Sequence, residues 1–322
     1  MRAEACLPLM QRLWIYQGER FPLCRHGPLI TVFCGAAALY GSQRVGLPME
    51  PAPLLGAIAI SGAFFPLMRI ADEFKDRDDD RRHRPYRPVP RGLVSLQELA
   101  RVGMAIALMQ LALVAVLAPA AWWLLLLGWL WFALMGVEFL VPHWLRTHLL
   151  LYTLSHMVIV PLIALLAAGI AVLPAGIPLP WPDLLPLLGL CFCNGLAIEF
   201  ARKIRLPQRE EPGVETWSAL WGLRPALRRW LVVLLLSLPL ALAAAWPVGA
   251  GTRLLLLLVP LLAWLPRRIL LLWRADRHSA PASPPSGASP DRSAAPLELP
   301  TGLWTLATYL AVGWWPALTG GG

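Results

Sequence analysis

Asp72, Asp76 and Asp80 stand four residues apart in the stretch 72–92, DEFKDRDDDRRHRPYRPVPRG. At 3.6 residues per turn this spacing puts the three carboxylates on one helix face, and Glu73, three residues before Asp76, joins its edge. Carboxylates in a row repel one another and are relieved best by a divalent cation, with hard oxygen ligands suiting magnesium or calcium. Arg77, Arg81, Arg82, Arg84, Arg87 and Arg91 follow in the same stretch. Guanidinium groups grip phosphate oxygens in pairs, so metal-binding acids beside phosphate-binding arginines point to a diphosphate substrate. The blander reading is a solvated charged loop whose arginines only neutralise the acids.

A helix must carry these acids, and Pro85, Pro88 and Pro90 cannot continue one. The helix is therefore expected to end near His83, with the arginines on a stiff cap beyond it. The rest of the chain is apolar enough to live in lipid. Of 322 residues, 57% are hydrophobic and only 15% charged, where a soluble domain carries about a quarter. The mean hydropathy is +0.59. Nine runs have the length of a bilayer span: roughly 28–45, 51–70, 98–117, 120–141, 147–172, 182–201, 230–248, 253–273 and 301–318. The expected fold is all-α and transmembrane, one bundle of about nine helices with a central cavity open to the cytoplasm.

Arg and Lys fall almost entirely into alternate connections, which by the positive-inside rule predicts a cytoplasmic amino terminus and cytoplasmic loops after the second and sixth spans. That topology accounts for the net charge of +9, and with no soluble domain to present a basic surface, nucleic acid is not expected as a partner. The first residues lack a continuous apolar core followed by a small-residue cleavage site, so a removable signal peptide is not expected there. The five cysteines read as packing residues rather than a disulfide framework. The stretch 278–296 is rich in Pro, Ser and Ala and is expected to be a disordered linker.

A second polar region, 194–222, follows the sixth span, where Glu199 and Arg202 are spaced to pair on one helix face. With it on the page, the sequence resembles the UbiA-type intramembrane prenyltransferases. Their first motif, Asn-Asp-x-x-Asp-x-x-x-Asp, fits with Asp72 in place of the Asn, then Glu73, Asp76 and Asp80, and their Arg-Pro-x-Pro-x-Gly turn fits Arg87 to Gly92. The second motif departs: Gly213, Val214, Glu215, Thr216 and Gly222 keep its tail, but Arg202, Arg205 and Arg209 stand where acids are expected. The resemblance implies transfer of a prenyl group from an isoprenyl diphosphate to an aromatic or lipid acceptor, with Mg2+ as cofactor. It assigns Asp72, Glu73, Asp76, Asp80 and Glu199 to metal, and Arg87, Arg202, Lys203 and Arg205 to diphosphate.

Polar residues inside spans are costly and need a reason. Tyr152 and His156, four apart, share a helix face. They either hydrogen-bond between helices or line the acceptor chamber, with His156 as a base. Glu138 and His143 read as snorkelling to the interface. Two rival functions stay open at this point: a permease guiding a divalent cation along the acidic stripe, which would favour acids deep in facing spans, and a noncatalytic prenyl-lipid binder that has lost its second metal site.

Overall fold

The computed structural model describes residues 7–48, 50–206, 210, 215–277 and 297–319; the linker expected at 278–296 lies outside them, as do Arg209, Gly213 and Val214. Among the described residues every regular element is a helix. They fall into two compact units, Met1–Pro180 and Trp181–Gly322.

The first unit begins with α1 (Leu9–Arg20) and α2 (Leu23–Arg44). The next span is bent into α3 (Pro51–Gly62) and α4 (Phe64–Lys75), followed by the short α5 (Arg77–His83). Helices α6 (Leu96–Leu117), α7 (Trp122–Gly136), α8 (Pro142–Thr147), α9 (Leu149–Met157) and α10 (Ile159–Val172) complete it. Two breaks have one cause. Pro66 and Pro161 have no N–H to give to the carbonyls four residues back, at Gly62 and Met157, and α3 and α9 stop at those residues. Helix α5 ends at His83, two residues before Pro85.

Close packing relies on small residues, as expected where no hydrophobic effect drives helices together. A Cβ on Gly128 would stand 2.7 Å from the Phe64 ring, and one on Gly41 would stand 3.0 Å from the Cβ of Ala168. Helix α10 packs against α2, α3 and α7, while α6 lies along α3 and α4.

In the second unit α11 (Trp181–Arg202) packs against α13 (Leu223–Ala245), with the short α12 (Trp217–Trp221) between them in sequence. Helix α14 (Gly251–Arg277) and α15 (Glu298–Tyr309) pack together, and α15 runs through one π turn, Leu310–Trp314, into α16 (Trp315–Thr319).

Seven helical stretches among the described residues are long and apolar enough to cross a membrane: Pro51–Lys75, Leu96–Leu117, Pro119–Gly136, Leu149–Ala175, Trp181–Arg202, Leu223–Val248 and Gly251–Arg274. The expected runs 28–45 and 301–318 are helical but do not reach that standard. Both contain polar residues turned into protein: Tyr40 and Ser42 are buried on α2, and Thr301, Thr305 and Thr308 are buried on α15. A helix surrounded by other helices meets less lipid and does not need an apolar face all round.

Candidate functional site

The acidic stretch folds as one nearly continuous helix. Asp76 sits at the joint between α4 and α5, yet the backbone bonds from Asp76 N to the Asp72 carbonyl (2.9 Å) and from Asp80 N to the Asp76 carbonyl (2.8 Å) run across it. The helical period therefore holds, and it sorts the acids more finely than their four-residue spacing suggests. Steps of four drift by about 40°, so Asp72 and Asp80 point about 80° apart, whereas Glu73 and Asp80, seven apart, differ by only about 20°. Glu73 and Asp80 are buried, while the Asp72 side chain keeps 53% of its exposure.

Arginines enclose the two buried acids. Arg20, from α1, donates from Nε to Glu73 at 2.6 Å, and Arg69, one turn earlier on α4, reaches the same oxygen at 3.4 Å. Asp80 accepts from Arg87 Nη1 on both oxygens at 2.7 Å and from Arg84 at 3.0 Å. Burial alone pushes the Asp80 pKa up, but the hydrogen bonds and charge of Arg87, with help from Arg84 and Arg20, outweigh it and hold the group below its ordinary value. Asp76 has no hydrogen-bonded or ion-paired side-chain partner among the described residues. Burial and then the charge of Asp80 push its pKa up, against the pull of Arg69, Arg87 and Arg84.

The cap beyond α5 is held by its backbone. The Arg91 amide bonds to the Arg87 carbonyl, and Leu93 N reaches back to Pro88 O at 2.9 Å. Gly92 takes φ 82° there, a conformation that favours glycine. Arg91 pairs with Glu19 at 2.8 Å and Arg12 with Glu98 at 2.6 Å, so α1 is tied to this cap and to the start of α6 by ion pairs at both of its ends.

Asp72 faces elsewhere. It lines a pocket of about 540 Å³ with Lys75, Tyr152 and His156 amid apolar residues such as Phe74 and Phe132. The Tyr152 and His156 rings stack at 3.9 Å, and Lys75 donates to the Tyr152 hydroxyl. His156 Nδ1 lies 2.8 Å from the Tyr152 carbonyl. A carbonyl only accepts, so Nδ1 carries the proton and the neutral ring has its lone pair on Nε2. Glu138 does not snorkel to the interface: it is buried and pairs with Lys75 and with Arg146, both at 3.1 Å. Burial pushes its pKa up, but hydrogen bonds from Arg146 and Lys75 bring it below its usual value. The turn that places it holds Glu138, Phe139 and Leu140 at φ 49°, 53° and 63°, a left-handed conformation costly for non-glycine residues.

In the second unit Glu199, at the end of α11, pairs with Arg202 at 2.6 Å and Lys203 at 3.0 Å. The Arg205 amide donates to Ser218 Oγ at 2.8 Å, and Glu210 accepts from Thr216 and Ser218, each at 2.6 Å. Thr216 caps α12, and Gly222 (φ 79°) turns the chain into α13. The structure thus brings Glu73, Asp76, Asp80 and Arg87 together, sets Asp72 with Tyr152 and His156, and groups Glu199 with Arg202 and Lys203. Arg20, Arg69, Lys75 and Arg146 were missed in the sequence. Only Arg69 left a local signal, as a charge three and four residues before Asp72 and Glu73 on the same apolar span.

The model of the UbiA prenyltransferase family matches residues 28–284, well over half of the chain. The chain belongs to the UbiA prenyltransferase family. No curated protein and no solved structure matches it. Membership together with seven apolar helices makes it an integral membrane protein. The match begins at residue 28, so α1, with Arg12, Tyr16 and Arg20, lies ahead of it.

UbiA enzymes generally use Mg2+. No group of three or more His, Cys, Asp or Glu among the described residues is arranged to hold a metal ion. Magnesium, however, is usually taken by one or two carboxylates plus the phosphates of a substrate. Asp76 fits that role: among the described residues its carboxylate has no hydrogen-bonded or ion-paired side-chain partner, and it lies between two acids that arginines already occupy.

Proposed function

We propose that this UbiA member transfers an isoprenyl group from an isoprenyl diphosphate to an aromatic or lipid acceptor in the membrane, with Mg2+ as cofactor. The observation that carries this reading is the acid–arginine cluster at the end of the span Pro51–Lys75 in a chain of this family. In the first unit Asp76 would be the principal metal ligand, with Glu73 and Asp80 beside it and Asp72 on the same helix; within the second unit Glu199 would be an oxygen donor of its own. Magnesium, when bound, would offset the negative charge that builds on the departing diphosphate.

The chain's own residues do the rest. Asp80 holds Arg84 and Arg87 in fixed orientations, so that their remaining N–H groups are pre-set to donate to phosphate oxygens. Glu199 orients Arg202 and Lys203 in the same manner, and with Arg205 these form the phosphate contacts of the second unit. The pocket lined by Tyr152 and His156 takes the acceptor, and its apolar walls keep water from the allylic cation. His156 Nε2 removes the acceptor's proton while Nδ1 stays anchored to the Tyr152 carbonyl. The proposed topology has nine spanning helices, counting 28–45 and 301–318, with the amino terminus and the acidic stretch on the cytoplasmic side.

Purified protein in lipid, given geranyl, farnesyl or geranylgeranyl diphosphate with membrane extract as acceptor source, is expected to release diphosphate only with magnesium. The prenyl label should move into a new lipid-soluble product. Donor binding without release or transfer, under any of these conditions, would rule this function out.

A further inference from the structure

From Thr216 to Ala275 the chain holds seven arginines and no carboxylate or lysine. Helices α13 and α14 carry all seven. A short turn, 246–250, joins these helices, and they pack against each other as an antiparallel hairpin. Arg253 stands beside the turn, while Arg224, Arg228, Arg229, Arg267, Arg268 and Arg274 collect at the far end. At 1.5 Å per residue, Arg228 lies about 26 Å from the turn along α13 and Arg268 about 26 Å along α14. A hydrocarbon core is about 30 Å thick, so these arginines come level with one edge of the bilayer when the turn reaches the other.

No acid answers this charge. Arg228, Arg229, Arg267, Arg268 and Arg274 make no ion pair among the described residues. Over 199–298 as a whole, basic residues outnumber acids thirteen to seven, so the flanks do not cancel the surplus. Two of the arginines are instead set over tryptophans, Arg229 on Trp221 at 4.3 Å and Arg268 on Trp264 at 5.2 Å. A guanidinium held over a ring keeps its N–H edge for oxygen acceptors, and tryptophan settles at the membrane interface. Beyond the arginines, the exposed side of α13 turns apolar. Arg228, Val232, Leu235 and Pro239 fall within about 60° of one another around the helix, and Arg229 and Leu236 within about 20°. All six are exposed.

Lipid chains cover an exposed apolar stripe on a spanning helix, and the headgroup above those chains meets Arg228 and Arg229. The surplus charge selects which headgroup. A zwitterionic one brings a cation of its own into the field of six arginines, whereas an anionic one does not. We propose that the exposed face of α13 holds an anionic phospholipid, with its phosphate on Arg228 and Arg229 and its acyl chains along Val232, Leu235 and Leu236. Arg267, Arg268 and Arg274 on α14 supply the surrounding positive field. The proposal does not rest on the prenyl-transfer reading.

The test is native mass spectrometry of the full chain in a sugar detergent, titrated separately with phosphatidylglycerol and with phosphatidylcholine. The wild type is expected to bind phosphatidylglycerol more tightly by about tenfold or more. Arg228→Gln should weaken that binding about fivefold, and Arg228→Gln combined with Arg229→Gln about thirtyfold, leaving the two lipids bound alike. Both positions are exposed on a helix that glutamine sustains, so the variants keep the fold. Arg253→Gln removes the same charge at the opposite end of the hairpin and is expected to leave binding unchanged. Glycerol phosphate, the headgroup without chains, should bind far more weakly than the lipid. A wild type without preference for phosphatidylglycerol overturns the proposal, as does full binding in the double variant, an equal loss in Arg253→Gln, or glycerol phosphate bound as tightly as the lipid. A doubled mass that the double variant abolishes assigns the face to a second copy of the chain and overturns it too.

Discussion

Arg87 donates from one nitrogen, Nη1, to both carboxylate oxygens of Asp80, each at 2.7 Å. Asp80 is buried, so the acid cannot fall back on water if the arginine is lost. Arg87→Ala is therefore expected to lower stability by about 2 kcal/mol, the cost of a buried charge that loses the nearest of its three arginine partners and keeps Arg84 at 3.0 Å and Arg20 at 3.9 Å. Thermal unfolding in detergent reads this directly. A change within a few tenths of a kcal/mol would mean that water reaches Asp80.

The same pair sets a pH dependence. The folded-state pKa of Asp80 is lowered, so its contribution to stability is full above the ordinary carboxylate value of about 3.8 and disappears as pH falls through the lower folded value. Asp80→Asn should be less stable than the wild type near pH 7, and the difference should shrink on acidification. A difference that stays constant down to pH 3 would contradict the pairing.

Asp76 has the opposite sign. Its folded pKa is raised, so ionising it costs stability as pH climbs from about 3.8 through the raised value. Asp76→Asn is thus expected to leave the protein as stable as the wild type or more so at pH 7. It should at the same time abolish magnesium-dependent binding of the donor. The two readouts, thermal unfolding and titration calorimetry with geranylgeranyl diphosphate, should move in opposite directions. Unchanged binding would remove Asp76 from the metal site.

Leu140 holds φ 63° with 77% of its surface exposed, so nothing in packing repays its strain. Leu140→Gly is expected to stabilise the protein by roughly 0.5–1 kcal/mol, since glycine adopts that conformation without the steric penalty. Measured against it, Glu138→Gln should destabilise, because Lys75 and Arg146 both lose their charge partner.

His156→Gln should lower transfer to an aromatic acceptor by about a hundredfold, the usual weight of a general base, with donor binding unchanged. Prenyl transfer that survives at the wild-type rate would leave His156 as packing for Tyr152 alone.

Much of this chain could be read from its order of residues, because the governing forces act locally. Helical period and proline placement are set within a turn or two, so the acid-bearing helix and its end at His83 follow from residues 72–85. Long apolar runs likewise declare membrane spans whatever surrounds them. The tertiary structure decided what those helices touch. Arg20 meets Glu73 across 53 residues of sequence, and Lys75 meets Tyr152 across 77. No periodicity spans such gaps, and the pairs form only because packing brings distant helix ends together. Hydropathy marks nine runs, of which seven lie in helical stretches of the described residues that are long and apolar enough to span; the runs 28–45 and 301–318 carry polar residues such as Tyr40 and Thr308, whose burial among neighbouring helices is a property of the fold that composition does not show.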